Sequence, residues 1–207
     1  MKKTSKIWLR LFANQRRTGH FIYVRYHGKW GVYNHKWEQI LPIEFDEIHF
    51  NFLNYVFEVT KEGNGIFDRE GNEIIPPKYD QVIKIGKFYL VKKDKLSGVF
   101  DKNGKQIVPV EYNVVSVWED VDSIVVEYDR KMGMYNTEGQ MVLPTEYRYI
   151  EPHKNHIVTE KNYRDFKYML RDKSGKLLDE KEYDQICVHP EYIVFRNGKE
   201  WTVKGLS

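Results

Sequence analysis

Cysteine is nearly absent: Cys187 is the sole thiol in 207 residues. One thiol makes neither an internal disulfide nor a Cys-x-x-Cys zinc pattern, and its solitude points to a reducing compartment. No apolar run reaches the roughly 18 residues that a membrane helix needs. There is no Asn-x-Ser/Thr sequon. The opening MKKTSKIWLRLFANQRR has the basic start of a secretory leader. Its apolar run, residues 7–13, is broken by Arg10 and leads into further arginines rather than a small-residue cleavage site, so it does not read as a signal. The expected setting is the cytoplasm. Phosphate-binding and nucleophile-elbow motifs are missing too: the glycines at 63, 65 and 71 fail G-x-G-x-x-G, and neither a P-loop nor G-x-S-x-G occurs. Finally, the first 30 residues lack any acid. They hold Lys2, Lys3, Lys6, Arg10, Arg16, Arg17, Arg25 and Lys29, so a chain of net charge +3 consists of a +8 segment on a body of −5. Such a segment suits nucleic acid, an anionic surface or an acidic protein, or simply solubilises one end.

Aromatic residues, by contrast, are abundant at 15%, with 15 tyrosines, within a chain that is 41% hydrophobic and 30% charged. That balance folds in water, and the aromatic and β-branched content favours strands. The chain is also periodic. Gly71, Gly104, Gly139 and Gly175 each end an Asp/Asn-x-x-Gly, with Trp37 in the corresponding earlier place, at intervals of 34, 33, 35 and 36 residues. Eight positions after each stands an aromatic: Phe45, Tyr79, Tyr112, Tyr147, Tyr183. Eleven after stands Ile48, Val82, Val115, Ile150 or Ile186. Five after stands Pro42, Pro76, Pro109 or Pro144, broken by Glu180; six before stands Gly31, Gly65, Gly98 or Gly133, broken by Met169.

These columns define five copies at about 27–60, 61–93, 94–128, 129–161 and 162–196. Partial copies lie at 20–26 and 197–207, as end units of an array do. Each copy translates into strands. A closing run such as NYVFEVT or KFYLVKK is one strand, and a short GIFD-type strand follows a polar loop. Asp68, Asp101, Asn136 and Asp172 then bond their own turn, with Gly supplying the left-handed place. A third strand runs to the Pro, which ends it or sets it at an edge, and the Tyr seats its ring in the core. A unit of about 34 residues cannot cover its own apolar face, so neighbours must stack. The expected fold is all-β: an open twisted stack of antiparallel meanders, or a five-bladed propeller. Residues 1–19 read as a basic cap, with an amphipathic helix over 4–15 presenting Ile7, Trp8, Leu11 and Phe12. Residues 20–207 read as one repeat domain.

The columns resemble the WG-repeat family of bacterial proteins, whose unit carries Trp-Gly, an apolar pair, Asp-x-x-Gly, a second apolar pair, Pro and Tyr-Asp. Trp30-Gly31 is the fullest Trp-Gly; the Trp place is otherwise Asn64, Ser97, Met132 and Tyr168. The resemblance runs from about residue 20 to the end. It implies a β-repeat architecture and no fixed activity.

The recurring carboxylates, Asp68, Asp101 and Asp172 in one row and Asp46, Asp80 and Asp184 in another, invite an acid–base reading. Equivalent residues of successive units point the same way, however, and a glycosidase needs two facing one bond. The expectation is a protein that is not an enzyme and holds no cofactor. A metal would need more than His153, His156 and His189 offer, since no recognised ligand spacing is present. Cys187 and His189 share a strand face and could form a nucleophile pair, though a lone Cys more often packs as a small hydrophobe. The places where copies disagree are more informative. Fourteen residues after the anchor stand Asn51, Ile85, Trp118, His153 and His189, expected in the connection before the closing strand. Trp118, His153, His156 and His189 are therefore the candidate contacts to a partner protein, conceivably a toxin countered by an immunity-type inhibitor. The alternative is a nucleic-acid or anionic-surface site formed by Lys2, Lys3, Lys6, Arg10, Arg16, Arg17 and Arg25 with interleaved aromatics.

Overall fold

The structure, a computed structural model, describes residues 14–161 and 166–206. They form six antiparallel sheets in chain order. The first holds β1 (Asn14–Thr18), β2 (Phe21–Tyr26), β3 (Lys29–Asn34) and β4 (Gln39–Phe45). The second holds β5 (Glu47–Asn51), β6 (Val56–Thr60), β7 (Asn64–Asp68) and β8 (Glu73–Tyr79). The third holds β9 (Gln81–Ile85), β10 (Phe88–Lys93), β11 (Leu96–Asp101) and β12 (Gln106–Tyr112). The fourth holds β13 (Val114–Trp118), β14 (Ser123–Tyr128), β15 (Lys131–Asn136) and β16 (Met141–Tyr147), with a 3-10 turn at Glu119–Val121. The fifth and sixth have three strands each: β17 (Tyr149–Pro152), β18 (His156–Glu160), β19 (Tyr168–Asp172), then β20 (Gln185–Val188), β21 (Tyr192–Asn197), β22 (Glu200–Gly205). Each sheet is a meander in which sequential strands pair. Among the described residues no helix is long and apolar enough to cross a membrane.

Two compact units divide the chain. One takes it to Ile83, with Val91–Asp94 and Lys102–Gly104; the other takes Lys84–Leu90, Lys95–Asp101 and the chain from Lys105. The first unit is centred on Phe21, Val32, Leu41, Phe45, Phe57 and Val59, all buried. In the second, Phe88, Val99, Ile124 and Tyr135 form one cluster, Met134, Leu143, Tyr147 and Ile157 another, and Leu170, Ile186, Ile193 and Phe195 a third. Each such side chain stabilises by about 1.5–3 kcal/mol on burial. Four of the five rings of the aromatic column are buried: Phe45 is 1% exposed, and Tyr79, Tyr112 and Tyr147 are each 4% exposed.

The Asp-x-x-Gly turns are built as their composition dictates. The Asp68 carboxylate accepts the backbone N–H of Glu70 at 3.0 Å and of Asn72 at 2.7 Å. Asp101, Asn136 and Asp172 repeat the bond to the residue four on, at 2.8–3.0 Å. The Gly that closes each turn has φ between +86° and +91°. Its lack of a side chain has a second consequence. A Cβ on Gly71 would lie 2.2 Å from the Ile40 carbonyl oxygen, on Gly104 2.4 Å from Ile74 O, on Gly175 2.7 Å from Val142 O, and on Gly139 3.1 Å from Ile107 O. Each turn thus rests on the fourth strand of the sheet before it. In the first sheet the place is Trp37, at φ +59°. Among the described residues no earlier sheet stands there, and the buried indole covers Ile22, Val24 and Tyr33 instead.

Two expectations, the phase of the copies and the place of the variable column, differ in the structure. The copies written as 27–60 and onward are out of phase with the sheets: each sheet begins just after the aromatic column, so the closing strand of one copy is the second strand of the next sheet, and five copies with partial ends give six sheets. Of the two roles expected for proline, the structure shows the edge position. Pro42, Pro76, Pro109 and Pro144 lie inside β4, β8, β12 and β16, each at a sheet edge, where a missing N–H leaves no ladder bond unmade. The variable column is not a free connection; it caps a short strand of its own. The helix expected over 4–15 falls mostly outside the described residues, and residues 14 and 15 belong to β1.

Proline and the column of Gly31, Gly65, Gly98 and Gly133 act together. Val32 pairs with Leu41 and Trp30 with Phe45, so two steps along β3 face four along β4. The extra pair, Pro42 and Ile43, bulges over Gly31, where a Cβ would meet Ile43 at 2.7 Å. In the fifth sheet Met169 replaces that Gly and Glu180 that Pro, and the regular fourth strand is lost. Among the described residues the isolated bridges Tyr168–Tyr183 and Arg171–Leu177, with a Leu178 N–H to Leu170 carbonyl bond of 3.0 Å, mark where it would run.

Candidate partner-binding surface

The variable column proves to be a row of hairpin tips, where the first strand of each sheet turns into the second. Trp118 ends β13 and is 47% exposed. Beside it Glu119 accepts the Lys87 backbone N–H at 2.8 Å, tying the tip of the fourth sheet to that of the third. His153 and His156 face each other across one tip, the His153 N–H donating to the His156 carbonyl at 2.8 Å. Burial lowers the pKa of both rings. The Glu151 carboxylate, 3.7 Å from His153, pulls that ring back up; His156 is lowered further by His153 and Lys204, against Asp172. His189 stacks on Tyr192 at 4.6 Å between ring centroids. Trp118, His153 and His189 therefore crown three successive tips rather than one cluster. Among the described residues no three His, Cys, Asp or Glu side chains converge as a metal site requires. Cys187 is half-buried, with the Gln185 amide 3.4 Å from its sulfur.

Of the basic residues, Lys2, Lys3, Lys6 and Arg10 lie outside the described residues. Arg16 and Arg17 stand exposed on β1 and Arg25 on β2. Register pairs Arg16 with Tyr23 and Arg25 with Trp30, so Arg16, Tyr23, Arg25 and Trp30 share one face, and Arg17 turns to the other. The Arg25 guanidinium sits 5.5 Å from the Trp30 ring centre. Burial pushes the Tyr23 hydroxyl's pKa up, and the charge of Arg16 partly offsets it.

This face opens on a groove of about 360 Å³ lined by Arg16, Tyr23, Trp30, His49, Phe50 and Phe52, within the first unit. Its far wall is β5 with Phe52, which belongs to the tip between β5 and β6, whose sequence is Asn51-Phe-Leu-Asn-Tyr55. Phe52 is 62% exposed, Leu53 93% and Tyr55 62%. The tip is nonetheless fixed. Asn51 accepts the N–H groups of Leu53 and Asn54 at 3.0 and 3.2 Å and donates to Glu58 at 2.8 Å. Tyr55 is held at φ +55°, a conformation that an aromatic residue adopts only under constraint. Behind it a ladder of rings leads inward: Phe52 to Phe50 at 5.0 Å, Phe50 to Phe57 and Phe21 at 4.9 and 4.8 Å. The ladder couples an exposed apolar crest to the rigid core. Sequence reasoning named Asn51 but passed over its neighbours. The signal was there: the other tips read Gly86-Lys87, Glu119-Asp120, Lys154-Asn155 and Pro190-Glu191, all polar or small at the place where this one carries Phe-Leu.

Comparison with known proteins supports the architecture. The WG containing repeat matches residues 30–55, 65–96 and 132–163. No curated protein matches the chain. Among solved structures, Hsv2 of Kluyvelomyces marxianus is similar at 11% identity and a TM-score of 0.34, over 90% of this chain and 69% of that one. Hsv2p of Kluyveromyces lactis is similar at 11% and 0.34, over 93% and 73%. PorZ of Porphyromonas gingivalis is similar at 10% and 0.31, over 93% and 32%. Likenesses of that size carry no weight for fold or function. The three family matches coincide with the columns read from the sequence and with the strands that those columns build, and they identify the chain as a WG-repeat protein.

Proposed function

We propose that the chain is a non-enzymatic protein-binding module, with the Phe52–Tyr55 tip and its groove as the docking surface. The carrying observation is a crest of three large apolar side chains, each more than 60% exposed, on a turn that Asn51 locks in place. A soluble surface rarely presents such a crest without a partner to cover it. A pre-ordered turn spares the entropy that a mobile loop would lose on binding. The reading places the chain in the cytoplasm, where a lone thiol stays reduced. In its narrower form the partner is a toxin and the chain an immunity-type inhibitor; the repeat class supports that form.

A second reading has its own observation. Arg16 and Arg25 share a face with Tyr23 and Trp30, the pairing of cations and rings on which single-stranded nucleic acid stacks. One experiment separates the two. The chain and two variants, Phe52→Ser/Tyr55→Ser and Arg16→Glu/Arg25→Glu, are used to capture partners from the native lysate. A protein recovered stoichiometrically, lost with the first variant and indifferent to nuclease, supports the protein-binding reading. Retention on single-stranded DNA that falls steeply with salt and is lost with the second variant supports the other. A protein partner captured equally by the Phe52/Tyr55 variant overturns the assignment of the surface.

A further inference from the structure

The sixth sheet ends in a strand unlike its counterparts. Aligned on their hairpins, Trp201 stands where Trp30 and Met132 stand, and Val203 where Val32 and Met134 stand. Val32 is 0% and Met134 1% exposed, each under a fourth strand and a following sheet. Val203 is 64% and Trp201 60% exposed, and all six residues of β22 are exposed. Among the described residues β22 pairs along one edge only, with β21. A bare strand edge is a template for another strand.

Which strand fits is written in β22 itself. The proline-bulged segment that covers β3 does not. It needs a glycine beneath the bulge, and the Gly31 place is Thr202 here. The occupant must be an unbulged strand. Read antiparallel about Thr202, the sequence Glu200-Trp-Thr-Val-Lys204 complements itself. Glu200 faces Lys204, Trp201 faces Val203, Thr202 faces Thr202, and the pattern repeats on the other side of the twofold axis. Opposite charges and aromatic–β-branched pairs are the cross-strand pairs that stabilise antiparallel sheets. Moving the centre by one residue puts Glu200 opposite Thr202 or Lys204 opposite Thr202 and leaves the charges uncompensated. The same charges penalise an arbitrary strand on this edge, as edge lysines generally do.

We propose that β22 pairs antiparallel with β22 of a second copy, giving a twofold dimer with one continuous six-stranded sheet across the interface. The interface is isologous, so one substitution acts twice. This proposal is independent of the partner surface on the first unit, because its readout needs no partner.

The test is sedimentation velocity of the purified chain over a concentration series, with hydrogen exchange at residues 200–205. The native chain should pass from monomer to dimer with concentration, and the amides of β22 should gain protection with it. Glu200→Lys and Lys204→Glu, each of which sets like charges face to face, should each weaken the dimer at least tenfold. The double exchange Glu200→Lys/Lys204→Glu restores both opposite pairs and should recover the native affinity to within about threefold. Circular dichroism of the monomers checks that all variants fold. A native chain that stays monomeric throughout overturns the proposal, as does a double variant no tighter than the single ones. Protection of residues 200–205 that appears only with a different protein also overturns it, assigning the edge to that protein.

Discussion

Replacing Gly71 by alanine places a methyl 2.2 Å from the Ile40 carbonyl oxygen, well inside contact distance, on a residue at φ +91°. The effect has two parts that the repeats separate. All four turn glycines share the left-handed conformation, so each alanine carries about 1–2 kcal/mol of backbone strain. The alanine also narrows the unfolded ensemble, which returns roughly 0.4–1 kcal/mol. The second part is the clash with a backbone that cannot rotate away, on the order of 1–3 kcal/mol where overpacking is severe. It should scale with the approach: 2.2 Å at Gly71, 2.4 Å at Gly104, 2.7 Å at Gly175 and 3.1 Å at Gly139. Gly139→Ala should therefore cost about 1 kcal/mol and Gly71→Ala roughly 3 kcal/mol, a large share of a stability of about 5–15 kcal/mol. Urea titration at constant m-value reads these differences. If the two compact units unfold separately, Gly71 is compared with Gly104 and Gly175 with Gly139, each pair lying in one unit. Equal losses at all four places would show that the turn conformation alone matters, and would refute the claim that the turns seat on the preceding sheet. Trp37→Gly is the complementary variant. It matches the other copies yet strips a buried indole from Ile22, Val24 and Tyr33, so it should destabilise by about 3 kcal/mol or more.

Two further predictions concern charged groups. Glu160 is 2% exposed and bonded to Arg148 at 2.5 Å; Arg148→Ala strands that carboxylate and should cost about 3 kcal/mol in chemical denaturation, whereas Lys29→Ala, which breaks an exposed pair with Asp46, should cost under about 1 kcal/mol. His153 and His156 both have folded pKa values below the ordinary 6.5, so the unfolded chain binds more protons as pH falls. Their contribution to stability is complete above pH 6.5 and is lost as pH drops through the folded values. Replacing both by Gln should flatten the stability profile below pH 6.5 and leave it unchanged at pH 8; a profile unaltered below 6.5 would sink the assignment.

Much of the scaffold is legible in the linear chain because each column answers one local demand. Asp68 must bond its own turn, Gly71 must take a positive φ, and Tyr79 must fill the core. These demands repeat with the period, so the period announces them. Phase is a different matter. A periodic string has no intrinsic starting point, and the cut between units is set by which strands pair, a contact the string does not contain. The first strand of each sheet was hidden for a related reason. Segments such as Gln81–Ile85 are five residues long and only half-buried, so they resemble connections. Proline left two roles open, ending a strand or marking an edge, because whether β4 is an edge is again a fact of pairing.

The individual features of the chain sit where the repeats depart from one another, and three of these departures have a neighbour as their cause. Trp37 replaces glycine where no sheet precedes it among the described residues. Met169 and Glu180 fail together because the bulge needs both a proline above and a glycine below, and the fifth sheet loses its regular fourth strand as a result. Thr202 breaks the same glycine column in the sixth sheet, which removes the glycine that a bulged cover needs and, among the described residues, leaves β22 paired along one edge with a self-complementary sequence. The Phe-Leu of the second sheet's tip breaks a run of polar tips; Phe52 touches Phe50 yet stays 62% exposed, and Leu53 is 93% exposed, so packing inside the sheet does not account for the pair. In a repeat protein, a departure from consensus that the adjoining sheets explain belongs to the scaffold. A departure that they leave unexplained, as at Phe52 and Leu53, is the one to test first for a partner.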